Sequence, residues 1–208
     1  CDIIICDYNY LFDQRVALRR FFGDDCSPDE NIFLIDEAHN LADRAREMYS
    51  SELRFVWFFR LLKQIVENDP LYVPLKSLCK AFLALKRRSE ANFEAPGFDV
   101  SQRQYEAFNA AAEYFSTATS DWLKVNRDAP FANEVLDRRL EIVDYLYKSA
   151  LFDDNFVNYI ESDDDRIKVK ILCVDPAKIL SERLSKGRSA LLFSATLTPI
   201  DYFTDVLG

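Results

Sequence analysis

Three short apolar runs, far apart along the chain, constrain its fold more than any other feature. They lie in CDIIICD at the start, IFLIDE at 32–37 and SALLFSAT at 189–196. Each run has four apolar residues and leads into an acid or a hydroxyl. Runs so short and so continuously apolar suit strands buried on both faces, as in a parallel sheet. Between the first two, YNYLFDQRVALRRFF carries apolar residues at helical spacing. The start of the chain therefore predicts strand, helix, strand, a βαβ unit. The third run is preceded by IKVKILCVDPAKILSERLSKG. That segment predicts a strand at about 167–174, then a helix begun by Asp175 and Pro176, with Gly187 just past its end.

The middle reads differently. From about Ser51 to Asp165 no convincing strand is visible. ELRFVWFFRLLKQIVEN, PLKSLCKAFLALKRRSE, SQRQYEAFNAAAEYFSTATSDWLKV and ANEVLDRRLEIVDYLYKSALFDDNFVNYI all read as amphipathic helices. Pro70, Pro74, Pro96 and Pro130 punctuate them. ESDDD at 161–165 reads as an acidic loop at the far boundary. The expected fold class is thus α/β with a large helical insertion. Its segments are 1–50, then the helical block 51–165, then a return to the first sheet at 166–208.

Composition narrows the function classes. The 208 residues are 49% hydrophobic and carry a net charge of −9. A whole-surface attraction to nucleic acid is not expected, so any such contact must be a local basic patch. No apolar run approaches the roughly 20 residues of a membrane helix, and no signal peptide opens the sequence. Cys1, Cys6, Cys26, Cys79 and Cys173 are scattered with no CxxC pair, which argues against zinc or iron–sulfur ligation in this stretch. Isolated thiols without a secretion signal predict an intracellular setting, cytoplasmic, or nuclear in a eukaryote. A start at Cys1, inside an apparent strand, suggests a piece of a longer chain.

The chemistry concentrates in IFLIDEAHN. Asp36 falls at the carboxyl end of an expected parallel strand, where α/β folds bind ligands. Magnesium prefers carboxylate and water oxygens, which makes Asp36 the candidate metal ligand. Glu37 is placed to orient or deprotonate an attacking water. His39, the only histidine, can act as a donor or a switch near neutral pH. The plain alternative is an acidic helix start that complements the dipole. In LLFSATLTP, Ser194 and Thr196 offer hydroxyls at another strand end. Taken alone they read as a strand end before a helix capped by Thr198 and Pro199.

Together these motifs resemble a known family. IDEAHNL resembles motif II, and LFSATLTPIDYF resembles motif III, of superfamily 2 helicases. The tail TLTPIDYFTDVLG, with ICDYNYLFD and LCVDPAKIL, is similar to the iron–sulfur DNA helicases of the XPD/DinG type. That family inserts a helical arch between motifs II and III, where this chain has its helical block. The resemblance implies a partial RecA-like parallel sheet of the P-loop NTPase type, interrupted by the arch. It implies ATP and Mg2+ as cofactors of the parent, with Asp36 on magnesium and Glu37 activating water. It further implies His39 linking the nucleotide site to motif III, and Ser194 and Thr196 coupling hydrolysis to movement on DNA. No glycine-rich segment followed by Lys-Ser or Lys-Thr occurs here. In the family the phosphate loop and the four cysteines of the 4Fe–4S cluster lie upstream of residue 1, and the second motor domain follows Gly208.

Single-stranded DNA is the partner so implied, with 5′ to 3′ movement and a DNA-repair role as the family pattern. Tyr8, Asn9 and Tyr10 occupy a turn where related motors touch the nucleic-acid backbone, although core packing is the plain reading for Tyr10. Arg15, Arg19 and Arg20 form one candidate patch. Lys76, Lys80, Lys86, Arg87 and Arg88 form another, with Phe82 and Phe93 nearby for base stacking. The plain reading of that patch is a solvated charged face. A competing reading is a protein-interaction module on an inactive motor scaffold, with FVWFFRLL as the contact if exposed. A non-unwinding translocase or helicase-linked nuclease is the third.

Overall fold

The structure is a computed structural model that describes residues 3–13, 15–22, 26–27, 31–90, 98–163 and 166–208. It divides into two compact units, Cys1–Tyr49 with Cys173–Gly208, and Ser50–Leu172.

In the first unit, strand β1 (Ile32–Ile35) pairs in parallel with β6 (Ser189–Leu192), with Ile32 opposite Ser189 and Ile35 opposite Leu192. Two chain ends separated by the whole insertion thus share one sheet, as the apolar runs predict. Arg188 N–H donates to the Asn31 carbonyl at 2.8 Å to open the ladder, and Phe193 N–H donates to Ile35 O at 3.0 Å to extend it. The approach is made possible by Gly187. A Cβ there would stand 2.5 Å from the Phe33 ring.

Two expectations for this sheet need correction. Residues 3–7 form no strand, and Ile5 is 95% exposed. A strand needs a neighbour to complete its backbone bonds, and no strand among the described residues pairs with this run. Burial of β1 on both faces also fails. Phe33 and Ile35 are buried, but Leu34 is 69% exposed, so among the described residues one face is covered. The expected helix after the first run is broken into two single turns, α1 (Asn9–Phe12) and α2 (Arg19–Phe22). Helix α3 (Leu41–Tyr49) buries Leu41, Ala42, Ala45 and Tyr49 at helical spacing. Its last residue reaches back, the Tyr49 hydroxyl donating to Phe12 O and pinning α1. Helices α8 (Ala177–Leu184) and α9 (Ile200–Leu207) complete the unit, α8 packing on α1 and α9, and α9 on α3. Asp175 Oδ1 accepts the Ala177 N–H at 3.0 Å, so the expected start of α8 is found.

The second unit is helical as expected, but not wholly so. Helices α4 (Phe55–Gln64), α5 (Tyr72–Glu90), α6 (Glu106–Val125) and α7 (Ala132–Ala150) are joined by a four-stranded sheet. Its order is β2 (Ser51–Arg54), β5 (Arg166–Cys173), β4 (Phe156–Asp163), β3 (Phe98–Ser101). Strands β2, β3 and β4 correct the all-helix reading. In β4, Phe156, Asn158 and Ile160 point inward. The polar Asn158 disguises the alternation; its Nδ2 donates to Arg103 O at 2.9 Å, while its buried Oδ1 has no hydrogen-bond partner among the described residues. Residues 161–163 of the expected acidic loop belong to β4, and 164–165 lie outside the described residues. Strand β5, expected to begin the return to the first sheet, is instead the β2 partner, with Leu53 opposite Val169. The return begins at Cys173.

An aromatic chain fills this core. Phe58 and Phe82 rings lie 5.7 Å apart, Phe82 and Phe108 meet edge to face at 4.8 Å, and Phe108 and Tyr145 at 5.5 Å. Such pairs add to the area they bury. Cys79, buried beside them, has its thiol pushed up to about 12 by that burial.

Candidate active site

The ends of β1 and β6 bring the two motifs together. The chain leaves β1 at Asp36, whose Oδ1 accepts the Glu37 N–H at 2.8 Å. The other Asp36 oxygen has no protein partner among the described residues and is open to a ligand. Glu37 then adopts φ 50°, ψ 39°, the left-handed region. For a residue with a Cβ this costs roughly 1–2 kcal/mol. The 3₁₀ turn Ala38–Asn40 follows and leads directly into α3. Ala38 N–H donates to Phe193 O at 3.1 Å, tying this turn to the end of β6.

Four side chains converge there. His39 Nδ1 lies 2.7 Å from Ser194 Oγ and 3.1 Å from Glu37 Oε2. Ser194 Oγ lies 3.4 Å from the same carboxylate oxygen and 3.5 Å from Thr196 Oγ1. Thr196 N–H donates to Ser194 Oγ at 3.3 Å. The carboxylate remains exposed, so it faces solvent while its neighbours orient it. A carboxylate held by a histidine and a hydroxyl at the open end of parallel strands is suited to taking a proton from water.

The expected nucleic-acid residues fall in separate places. The phenol of Tyr8 donates to the backbone carbonyls of Asp36 and of Glu37, the latter at 3.0 Å. Its pKa is raised, first by burial and then by the Asp36 and Glu37 charges. Asn9 and Tyr10 on α1 are exposed. Arg15 is engaged by Asp13 at 2.8 Å. Arg19 and Arg20 on α2 are exposed. In the second unit, Lys76 folds over the Tyr72 ring at 4.9 Å, while Lys80, Arg87 and Arg88 are exposed along α5. Phe82 is fully buried and unavailable for base stacking, and Phe93 lies outside the described residues. The FVWFFRLL stretch is partly buried. Phe58 is core, and Trp57 has the Arg54 and Arg138 guanidinium groups over its ring. The half-exposed Phe59 is covered by Lys63 at 4.5 Å.

Sequence reasoning missed the bond from Tyr8 to the turn after β1. Nothing local announces it, because the partners are 28 and 29 residues away. Among the described residues no cluster of three or more His, Cys, Asp or Glu groups could hold a metal. Asp36 would therefore bind one only together with water and phosphate oxygens.

Residues 1–56 match the DEAD_2 family model. The DEAD_2 stretch runs from the start through α3 and β2 and ends in α4. It contains Asp36, Glu37 and His39, and over that length it bears out the helicase resemblance. Ser194 and Thr196 lie beyond it. Among solved structures, that of Xpd4 from S. tokodaii aligns with 91% of this chain at 18% identity and a TM-score of 0.49. The chain spans 39% of the length of that structure.

Proposed function

We propose that this chain is part of an ATP-dependent DNA helicase of the XPD/DinG type. The first unit is then part of a RecA-like motor domain, and the second is the helical arch inserted into it. The observation that carries this reading is the Glu37–His39–Ser194 triangle, with His39 Nδ1 within 3.1 Å of both partners. Bound ATP would supply the electrophilic phosphoryl group, and Mg2+ a Lewis acid to neutralise its charge. The chain's own residues supply the rest. Asp36 offers its open oxygen to the metal. Glu37 accepts the proton of the attacking water. His39 holds Glu37 and passes its position to Ser194, and Ser194 with Thr196 reports it to the segment that follows β6. Single-stranded DNA is the substrate in this reading, moved 5′ to 3′ in the service of repair. The exposed Asn9, Tyr10 and Arg19 side chains are candidates to meet it on the first unit, and Lys80, Arg87 and Arg88 on the second.

The test is Glu37→Gln in the longer protein that carries the phosphate loop. The change keeps the shape and removes the base, so nucleotide still binds while turnover falls by at least about 100-fold. Near-normal DNA-stimulated hydrolysis would refute the role given to Glu37.

A further inference from the structure

We infer that Tyr8 is a positioning residue for Glu37, acting through the backbone rather than through a ligand. This rests on Glu37 being the water-activating group. The phenol of Tyr8 reaches the carbonyls on both sides of the strained residue, those of Asp36 and Glu37. The Glu37 carbonyl also accepts the Asn40 N–H at 3.0 Å, which closes the 3₁₀ turn. One hydroxyl therefore sits on the peptide units that must stay in place for Glu37 to hold φ 50°. A non-glycine residue persists there only when its surroundings over-determine it.

Tyr8 is itself anchored. It stands at the N-terminal end of α1, where Leu11 and Phe12 are buried. The Phe12 carbonyl is held by Tyr49 at the end of α3. Residues on either side of the phenol face outward, Asp7 and Asn9 both being exposed. The turn thus presents an outer face to solvent while Tyr8 holds the Glu37 turn from within.

Tyr8→Phe removes the hydroxyl and keeps the ring. In this chain, without nucleotide, amide exchange read by NMR should accelerate about tenfold or more at Ala38 and Asn40. The amides of Phe33 and Leu191 in the sheet should keep their protection. Uniform acceleration would mean a merely structural tyrosine, and unchanged exchange at Ala38 and Asn40 would equally overturn the inference. Should Tyr8→Phe fail to fold, 4-aminophenylalanine at position 8 is the second arm. Its para NH2 group keeps a donor to the two carbonyls, so protection at Ala38 and Asn40 should be kept; its loss there, with the sheet amides still protected, counts against the inference. In the longer protein, Tyr8→Phe should lower kcat for ATP with KM little changed, and a change confined to KM counts against it. The exchange arms need no ATPase, so failure of the helicase reading would show separately, as a normal rate in Glu37→Gln.

Discussion

His39 Nδ1 and Ser194 Oγ are 2.7 Å apart across 155 residues of sequence. The contact exists because β1 and β6 are parallel neighbours whose ends coincide, so that each motif starts where its strand stops. Side chains that leave a sheet at the same edge are held by two backbones at once.

That contact predicts a separable defect. In the longer protein, Ser194→Ala removes the hydroxyl between His39 and Thr196 and its long contact to Glu37, but keeps the closer His39 contact to that carboxylate. Hydrolysis should fall by no more than about tenfold, the scale of one hydrogen bond. Strand separation should fall further. Parallel measurement of ATP turnover and unwinding checks this, and an equal loss in both would remove the coupling role.

The chain by itself should not bind ATP tightly. Phosphate binding in such motors relies on backbone N–H groups of a glycine-rich loop and one lysine. Gly187, between Lys186 and Arg188, is committed instead to the approach of Phe33. Calorimetric titration of this chain with ATP and magnesium should show no binding in the low micromolar range. Such binding would mean that the nucleotide site lies elsewhere.

Gly187→Ala should destabilise the first unit. The new methyl would stand 2.5 Å from the Phe33 ring, closer than packing permits. Phe33 is buried against the sheet and has little room to yield. Overpacking of this kind costs about 1–3 kcal/mol. Denaturant unfolding followed by probes in each unit should show the loss at residues 1–49 and 173–208, with the insertion less affected.

Acid should weaken the junction of β2 and β5. Burial pushes the Glu52 carboxyl up, but hydrogen bonds from Lys170 and Arg54, with their charges, outweigh it and lower the pKa below the usual value. A folded pKa below the unfolded one adds stability above the unfolded pKa and loses it as pH falls through the folded one. Glu52→Gln should therefore be less stable than the parent sequence at neutral pH, and the difference should vanish on acidification through the carboxylate range. Thermal unfolding across pH checks this; a difference that persists in acid would assign the effect to packing.

Much of the architecture is legible in the residues. The IFLI run and most of the ALLF run are strongly apolar and too short for helices, and they lie in strands β1 and β6, although Leu34 and Leu191 face outward. The helices α5, α6 and α7 follow their apolar periods closely. The Asp-Glu-Ala-His sequence marks the candidate site without any structure. CDIIICD shows where such reasoning stops. The same apolar signal stands there, yet residues 3–7 form no strand among the described residues, since a strand is a property of a pair. Strands β2, β3 and β4 escape for the converse reason. They are short or carry an inward polar residue, and they exist because β5 and one another complete their backbone bonds.

The candidate acids, the histidine and the hydroxyls, and their places at strand ends, are readable from residue type and apolar pattern. Their mutual geometry depends on the pairing of β1 with β6. The left-handed turn at Glu37 is unfavourable locally; around it, the Tyr8 hydroxyl and Asn40 N–H donate to the Glu37 carbonyl, and Ala38 N–H donates to Phe193 O. Local preference is a property of neighbours in sequence, whereas strain of this kind is held by groups that only the completed fold brings near.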